Sequence, residues 1–141
     1  MDFASVFEIS SAGMNLERLR LEISAANLAN AQTTAVDGNA YRPLRVVARA
    51  STIDSFDSKL ASLLPLPVDV LVVESRTVPR LVFDPGHPDA DGRGFVAYPD
   101  VSPVSEMVRL VEIGRAYEAN VRALSMARSM AMKALEIGSE R

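Results

Sequence analysis

The sequence predicts an α+β fold: two long terminal helices packed as a coiled-coil-like pair, with a small β-rich middle domain. Three observations predict it. All eight prolines lie between Pro43 and Pro103, so both ends are proline-free. A proline inside a helix costs roughly 3 kcal/mol, which confines long helices to those ends. Both ends repeat apolar residues in steps of three and four, and the middle carries β-branched runs cut by turn residues. The boundaries that follow are 1–32 for the N-terminal helix, 33–102 for the β-rich middle and 103–141 for the C-terminal helix.

The first helix is expected from about Phe3 to Asn30. Ile9, Ala12, Leu16, Leu19, Ile23, Ala26 and Asn30 form one heptad seam. Phe7, Met14, Leu21 and Leu28 form a second row every seven residues, on nearly the opposite side. A helix apolar on two faces needs partners on both. In the middle, Tyr41–Ala48, Val68–Glu74, Leu81–Phe83 and Phe95–Tyr98 read as short strands. Asp37-Gly38 reads as a turn, and Ser51–Pro67 as a loop. The last helix, Val104–Ile137, repeats the first pattern through Met107, Leu110, Gly114, Tyr117, Val121, Leu124, Arg128, Ala131 and Leu135. Pro103 stands at its start, and Gly138 where a C-cap glycine belongs. Glu118 and Arg122 are an i,i+4 pair in the favourable order.

Composition narrows the chemistry. The 141 residues carry a net charge of −3, no Cys and one His, with 48% hydrophobic residues. No basic field holds nucleic acid or anionic lipid. Thiolate nucleophiles, Cys-ligated zinc and two-histidine metal sites are absent. The start carries Asp2 and Glu8 with no Lys or Arg before Arg18, unlike a secretory leader. The longest uncharged run, Ile23–Val36, is too short and polar to span a bilayer. No catalytic, cofactor-binding or metal-ligating residue is therefore assigned.

Individual motifs fit ordinary structural roles. His87, in Pro85-Gly86-His87-Pro88, reads as a turn residue bonding a nearby backbone group rather than as a base. Asp89, Asp91, Gly94 and Asp100 match the calcium-loop spacing, but Arg93 takes a ligand position and the twelfth residue is not Glu. The reading is an acidic hairpin loop. Gly92-Arg93-Gly94 lacks the lysine and third glycine of the phosphate fingerprints. Arg42, Arg45 and Arg49 read as solvated positions around a strand, and Met126, Met130 and Met132 as helix packing against non-identical neighbours. Asn30 either caps the first helix or, like Asn27, is a polar residue fixing register. Helices of about 40 and 50 Å overhang so small a middle, so further copies of the chain or its relatives are expected to cover them. The candidate subunit-interface residues are Ile9, Leu16, Leu19, Ile23, Asn27, Asn30, Met107, Leu110, Tyr117, Val121, Leu124 and Leu135.

Ser24-Ala25-Ala26-Asn27-Leu28-Ala29-Asn30-Ala31 resembles the N-terminal signature of the bacterial flagellar rod, hook and related axial proteins. Glu106-Met107-Val108 with Arg115-Ala116-Tyr117-Glu118-Ala119-Asn120 resembles their C-terminal signature. The stretch Pro85–Asp91, then Gly94-Phe95-Val96 and Pro99-Asp100-Val101, is similar to a short proximal-rod member. Gln32 and Asp100 depart from the family pattern. The resemblance implies a non-enzymatic subunit of the proximal rod, associating with its own copies and other rod proteins into a shaft that transmits torque. It implies export through the flagellar type III apparatus without a cleaved signal, terminal helices in an inner coiled-coil layer, and no cofactor. Another axial protein of the rod or hook is the alternative within the family. A small enzyme or ligand-binding domain is the alternative outside it, and it requires a pocket of convergent polar groups.

Overall fold

The computed structural model describes residues 3–34, 40–50 and 68–139. In chain order the elements are α1 (Phe3–Ala29), β1 (Leu44–Ala50), β2 (Val68–Glu74), β3 (Arg80–Phe83), β4 (Phe95–Tyr98) and α2 (Pro103–Ser139). The architecture is α+β: two long helices and two antiparallel two-stranded sheets, β1–β2 and β3–β4. The expected Asp37-Gly38 turn and Ser51–Pro67 loop lie outside the described residues.

Local chemistry sets the helix ends. The Asn30 side-chain amide donates to the Ala26 carbonyl at 2.8 Å, beside the Asn30 main-chain N–H at 3.1 Å, and so reinforces the last turn of α1. Ser102 caps α2, its Oγ accepting from the Ser105 N–H at 3.4 Å, and Pro103 occupies the first helical position. Gly138 is a correction. It lies inside α2, and among the described glycines only Gly94 has a positive φ.

The helices pack antiparallel, since Ser24 meets Glu106 while Gly13 meets Asn120. Extending that pairing, the start of α1 comes opposite residues near 130, so the last turns of α2 run past it. The buried residues of the helices are not those of the expected seam, Ile23 excepted. Ser10, Glu17, Ser24 and Ala31, seven apart, are buried, as are Ile23 and Asn27. On α2 the buried residues are Glu106, Ile113 and Ala127. Ile9 is 58%, Met107 55% and Leu135 69% exposed, and Tyr117 and Val121 are also outside. Leu16, Leu19, Leu110 and Leu124 are half-buried. The contact line therefore runs one residue, about 100°, round each helix from the expected one. With apolar residues on several faces, periodicity alone does not choose the inward row. Small residues do, because Ser10, Gly13, Ser24 and Ala127 permit close approach.

In the first sheet Leu44 pairs with Glu74 and Ala50 with Val68, and the Ser75 N–H extends the ladder to the Pro43 carbonyl at 2.7 Å. Expected from Tyr41, the strand begins only after Pro43, which has no N–H to give a ladder. In the second sheet Phe83 faces Phe95, their rings edge-to-face at 5.3 Å, and Val96 is fully buried. Gly94 closes this hairpin at φ 82°, where a Cβ would meet the Phe83 ring at 3.0 Å.

Candidate functional site

Two features stand out: a hydrogen-bonded polar node joining α1, α2 and β1, and apolar faces that the chain leaves uncovered. The node starts from Glu106, buried in the first turn of α2, where the helix dipole favours a carboxylate. One oxygen accepts a short hydrogen bond from the Ser24 hydroxyl on α1, and the other pairs with Arg109 at 2.6 Å. One turn on from Ser24, Asn27 is almost completely buried. Its Nδ2 donates to the Leu44 carbonyl at 2.9 Å, and its Oδ1 accepts from the Leu44 N–H and the Tyr41 hydroxyl, both at 2.9 Å. Burial raises the Tyr41 phenol above its ordinary value, and the Glu106 charge pushes the same way. Glu17 and Arg20 pair at 3.0 Å along the same line of α1. These groups line a cleft of about 410 Å³ between α1, β1 and α2. Of its carboxylates, Glu17 pairs with Arg20 and Glu106 with Arg109, each within its own helix, and Glu112 lines it as well.

The hairpin between β3 and β4 uses its polar residues in the same closed way. The His87 ring nitrogen Nδ1 accepts the Asp89 N–H at 3.1 Å, the turn role expected of it. Asp89 accepts from the Thr34 hydroxyl at 2.6 Å, tying the hairpin to the chain leaving α1. Asp91 accepts the Arg93 and Phe95 N–H groups, both at 2.8 Å. Of the acidic residues of the calcium-like spacing, Asp91 is thus occupied by the loop itself and Asp89 by Thr34. Among the described residues no three His, Cys, Asp or Glu side chains gather as a metal site. Arg42, Arg45 and Arg49 are exposed around β1, and Arg42 pairs with Glu74 at 3.5 Å.

The uncovered faces are extensive. Val104, Met107, Val108 and Val111 share one side of α2 near its start, all exposed. Met126, Met130, Leu135 and Ile137 are exposed towards its other end. On β2, Val70, Leu71, Val72 and Val73 are exposed in succession, so both faces of the ribbon are apolar. Soluble monomers rarely leave such surface to water. Of the sequence-predicted interface residues, the fold leaves Ile9, Met107, Tyr117, Val121 and Leu135 outside, and takes Ile23 and Asn27 inside. Asn30 serves as the cap of α1.

Sequence reasoning missed the structural parts played by Ser24, Glu106, Gly13 and Tyr41. A signal was present: Ser10, Gly13, Glu17, Arg20, Ser24 and Asn27 also step by three and four, as a small and polar row. Ser24 and Asn27 belong to the N-terminal signature, and Glu106 and Asn120 to the C-terminal one. The two signatures meet in space at the helix contact.

Known proteins are similar to this chain over nearly its whole length. The family model described as flagellar basal body rod FlgEFG protein C-terminal matches residues 93–137. The flagellar basal-body rod protein FlgC of Escherichia coli O6:H1 is 34% identical, over 98% of this chain and 99% of its own. That of Aquifex aeolicus is 35% identical over 96% and 97%, and that of Bacillus subtilis 37% over 92% and 94%. The chain belongs to the FlgC family of flagellar basal-body rod proteins. As a FlgC-family member it is a structural subunit of the basal-body rod, located in the flagellar basal body. Gln32 and Asp100 are both exposed. Among the described residues no helix is long and apolar enough to cross a membrane.

Proposed function

We propose that this FlgC-family chain works as a non-enzymatic subunit of the proximal rod, packing on its own copies and on other rod proteins through the outward rows of α1 and α2. The assembled helices form the inner coiled-coil layer of a shaft that carries torque. The observation that supports this reading most is the inversion of the helix pair. Its inner side sets Ser24, Gly13, Glu106 and Asn120 beside Ile23 and Ile113, while Val104, Met107, Val108 and Val111 face outward. Covering a large aliphatic side chain contributes about 1.5–3 kcal/mol, and only another molecule can cover these. The proposed contact residues are Ile9, Met107, Tyr117, Val121 and Leu135, with the half-buried Leu16, Leu19, Leu110 and Leu124 at the margins. Residues 1–32 and 103–141 serve the shaft and 33–102 its outer surface. Export through the flagellar type III apparatus, with no cleaved signal, completes the reading.

The test is Val111→Asp introduced into a strain lacking its own copy. The purified variant is expected to melt within about 0.5 kcal/mol of the parent, because an exposed site contributes little to the fold. Motility in soft agar and the number of basal bodies seen by electron microscopy are expected to fall to the level of the deletion strain. Wild-type motility with Val111→Asp would contradict the proposed contact.

A further inference from the structure

The edge of β1 that faces away from β2 is finished by a side chain. In an antiparallel pair, successive residues turn their main-chain groups to opposite edges. The Pro43 carbonyl accepts from Ser75, so Pro43 points at β2. Leu44, next along, turns its N–H and C=O to the other edge. There Asn27 donates to that carbonyl and accepts from that N–H, each at 2.9 Å. A carboxamide carries one donor and one acceptor side, as a peptide group does. We propose that Asn27 stands in for a third strand on the open edge of β1, and that with Ser24 and Glu106 it forms a joint fixing the direction of the β1–β2 ribbon relative to the helix pair.

The connectivity makes this more than an isolated contact. Asn27 and Ser24 lie one turn apart on the same line of α1, both buried. Ser24 passes the connection to Glu106 and thence Arg109 on α2. The Tyr41 hydroxyl adds a third bond to Asn27 just ahead of the strand. One polar chain thus runs from strand to first helix to second helix. A single apolar contact would hold these elements together but would leave rotation free, because dispersion has no direction. Two opposed hydrogen bonds to one residue fix an orientation. The same bonds occupy the Leu44 end of an edge that would otherwise invite another strand. The consequence for the shaft rests on the rod reading: load applied to the helices passes to the outer ribbon through Asn27 and Leu44.

The chain has no cysteine, so paired spin labels can be placed at will in the full-length protein. Glu22→Cys on α1 and Leu71→Cys on β2 are exposed positions. Pulsed dipolar spectroscopy is expected to give one narrow distance distribution in the parent and at least a doubling of its width in Asn27→Ala. Hydrogen exchange supplies the second readout. The Leu44 amide is expected to exchange at least tenfold faster in Asn27→Ala, while the Ile113 amide keeps its rate. Asn27→Asp keeps the size and the acceptor but sets a carboxylate oxygen against the Leu44 carbonyl, and is expected to broaden the distribution equally. Ser24→Ala cuts the joint on its α2 side only, so this distance between α1 and β2 is expected to stay narrow. A broad distribution in the parent overturns the proposal, as does an unchanged width together with an unchanged Leu44 rate in both Asn27 variants. Should Asn27→Ala lose protection at Ile113 as well, Asn27→Asp decides between the two outcomes. These readings use the unassembled chain, so they hold or fail separately from the motility test of the rod reading.

Discussion

Gly13 is a place where the opposite helix leaves no room for a side chain. A Cβ there would stand 2.9 Å from Asn120 Oδ1 and 3.1 Å from its Cγ. Asn120 meanwhile donates from Nδ2 to its own helix at Ala116, at 3.1 Å. Alanine in a helix interior is about 1 kcal/mol better than glycine, so two effects oppose each other in Gly13→Ala. Displacing Asn120 costs about the same as a modest hydrogen bond, roughly 0.5–1.5 kcal/mol. The single variant is expected to be near neutral in a urea melt. Gly13→Ala with Asn120→Ala removes the clash and is expected to exceed the parent by about 1 kcal/mol. A full gain from Gly13→Ala alone would show that the contact is slack. Asp91 offers a pH test at the same scale. The Phe95 N–H, then the Arg93 N–H, hold its carboxyl below the ordinary range by bonding the charged form. A depressed folded value adds stability that is present above the unfolded value and lost as pH falls through the folded one. The Arg93 and Phe95 amide resonances are therefore expected to move together on acidification, below the ordinary carboxylate range. Asp91→Asn keeps an acceptor without the charge, and the acid step is expected to vanish.

At the scale of elements, Glu106 shows what joins the two helices. Glu106→Ala leaves the buried Ser24 hydroxyl without its acceptor and Arg109 without its partner. Stranding a buried polar group costs about 1–3 kcal/mol, and the Arg109 part is reduced by its exposure. Glu106→Gln still accepts from Ser24 and is expected to lose less than half as much. Equal losses in denaturant melts would mean that the charge, not the hydrogen bond, matters. The same residue marks the limit of what sequence could reveal. Proline placement confined the helices to the ends, and β-branched runs located all four strands, because backbone rules act locally. Which row of α1 turns inward is a tertiary choice. Ile9 and Ser10 each begin a row with heptad spacing, and hydrophobicity favours the wrong one for packing within a single chain. The apolar row was read correctly as apolar, and the fold leaves its Ile9 exposed. Asn27 was visible as a polar residue in a signature, but its bond to Leu44 depends on a strand placed seventeen residues later in sequence.

For the whole molecule, substitutions can separate folding from the proposed assembly. Ile23 is buried within the chain, whereas Ile9, two heptads earlier on the same row, is 58% exposed. Ile23→Asp removes a packed side chain and inserts a charge, at about 3 kcal/mol or more. Set against a domain stability of about 5–15 kcal/mol, that loss confounds any assay of assembly. Ile9→Asp touches only surface and is expected to shift stability by no more than about 0.5 kcal/mol. In a rod, however, each subunit repeats the penalty at every shared contact. Ile9→Asp is therefore expected to yield a folded, detectable protein that forms no basal bodies, and Ile23→Asp a protein with a lowered melting transition as well. His87→Ala supplies the control. It removes one acceptor for the Asp89 N–H in a hairpin loop, so it is expected to cost about 1 kcal/mol or less and to leave swimming intact. Circular dichroism melts, soft-agar motility and basal-body counts read all three variants together. If Ile9→Asp swims like the parent, the outward row of α1 is not a subunit contact. If His87→Ala alone abolishes motility with basal bodies intact, the hairpin does more than turn the chain.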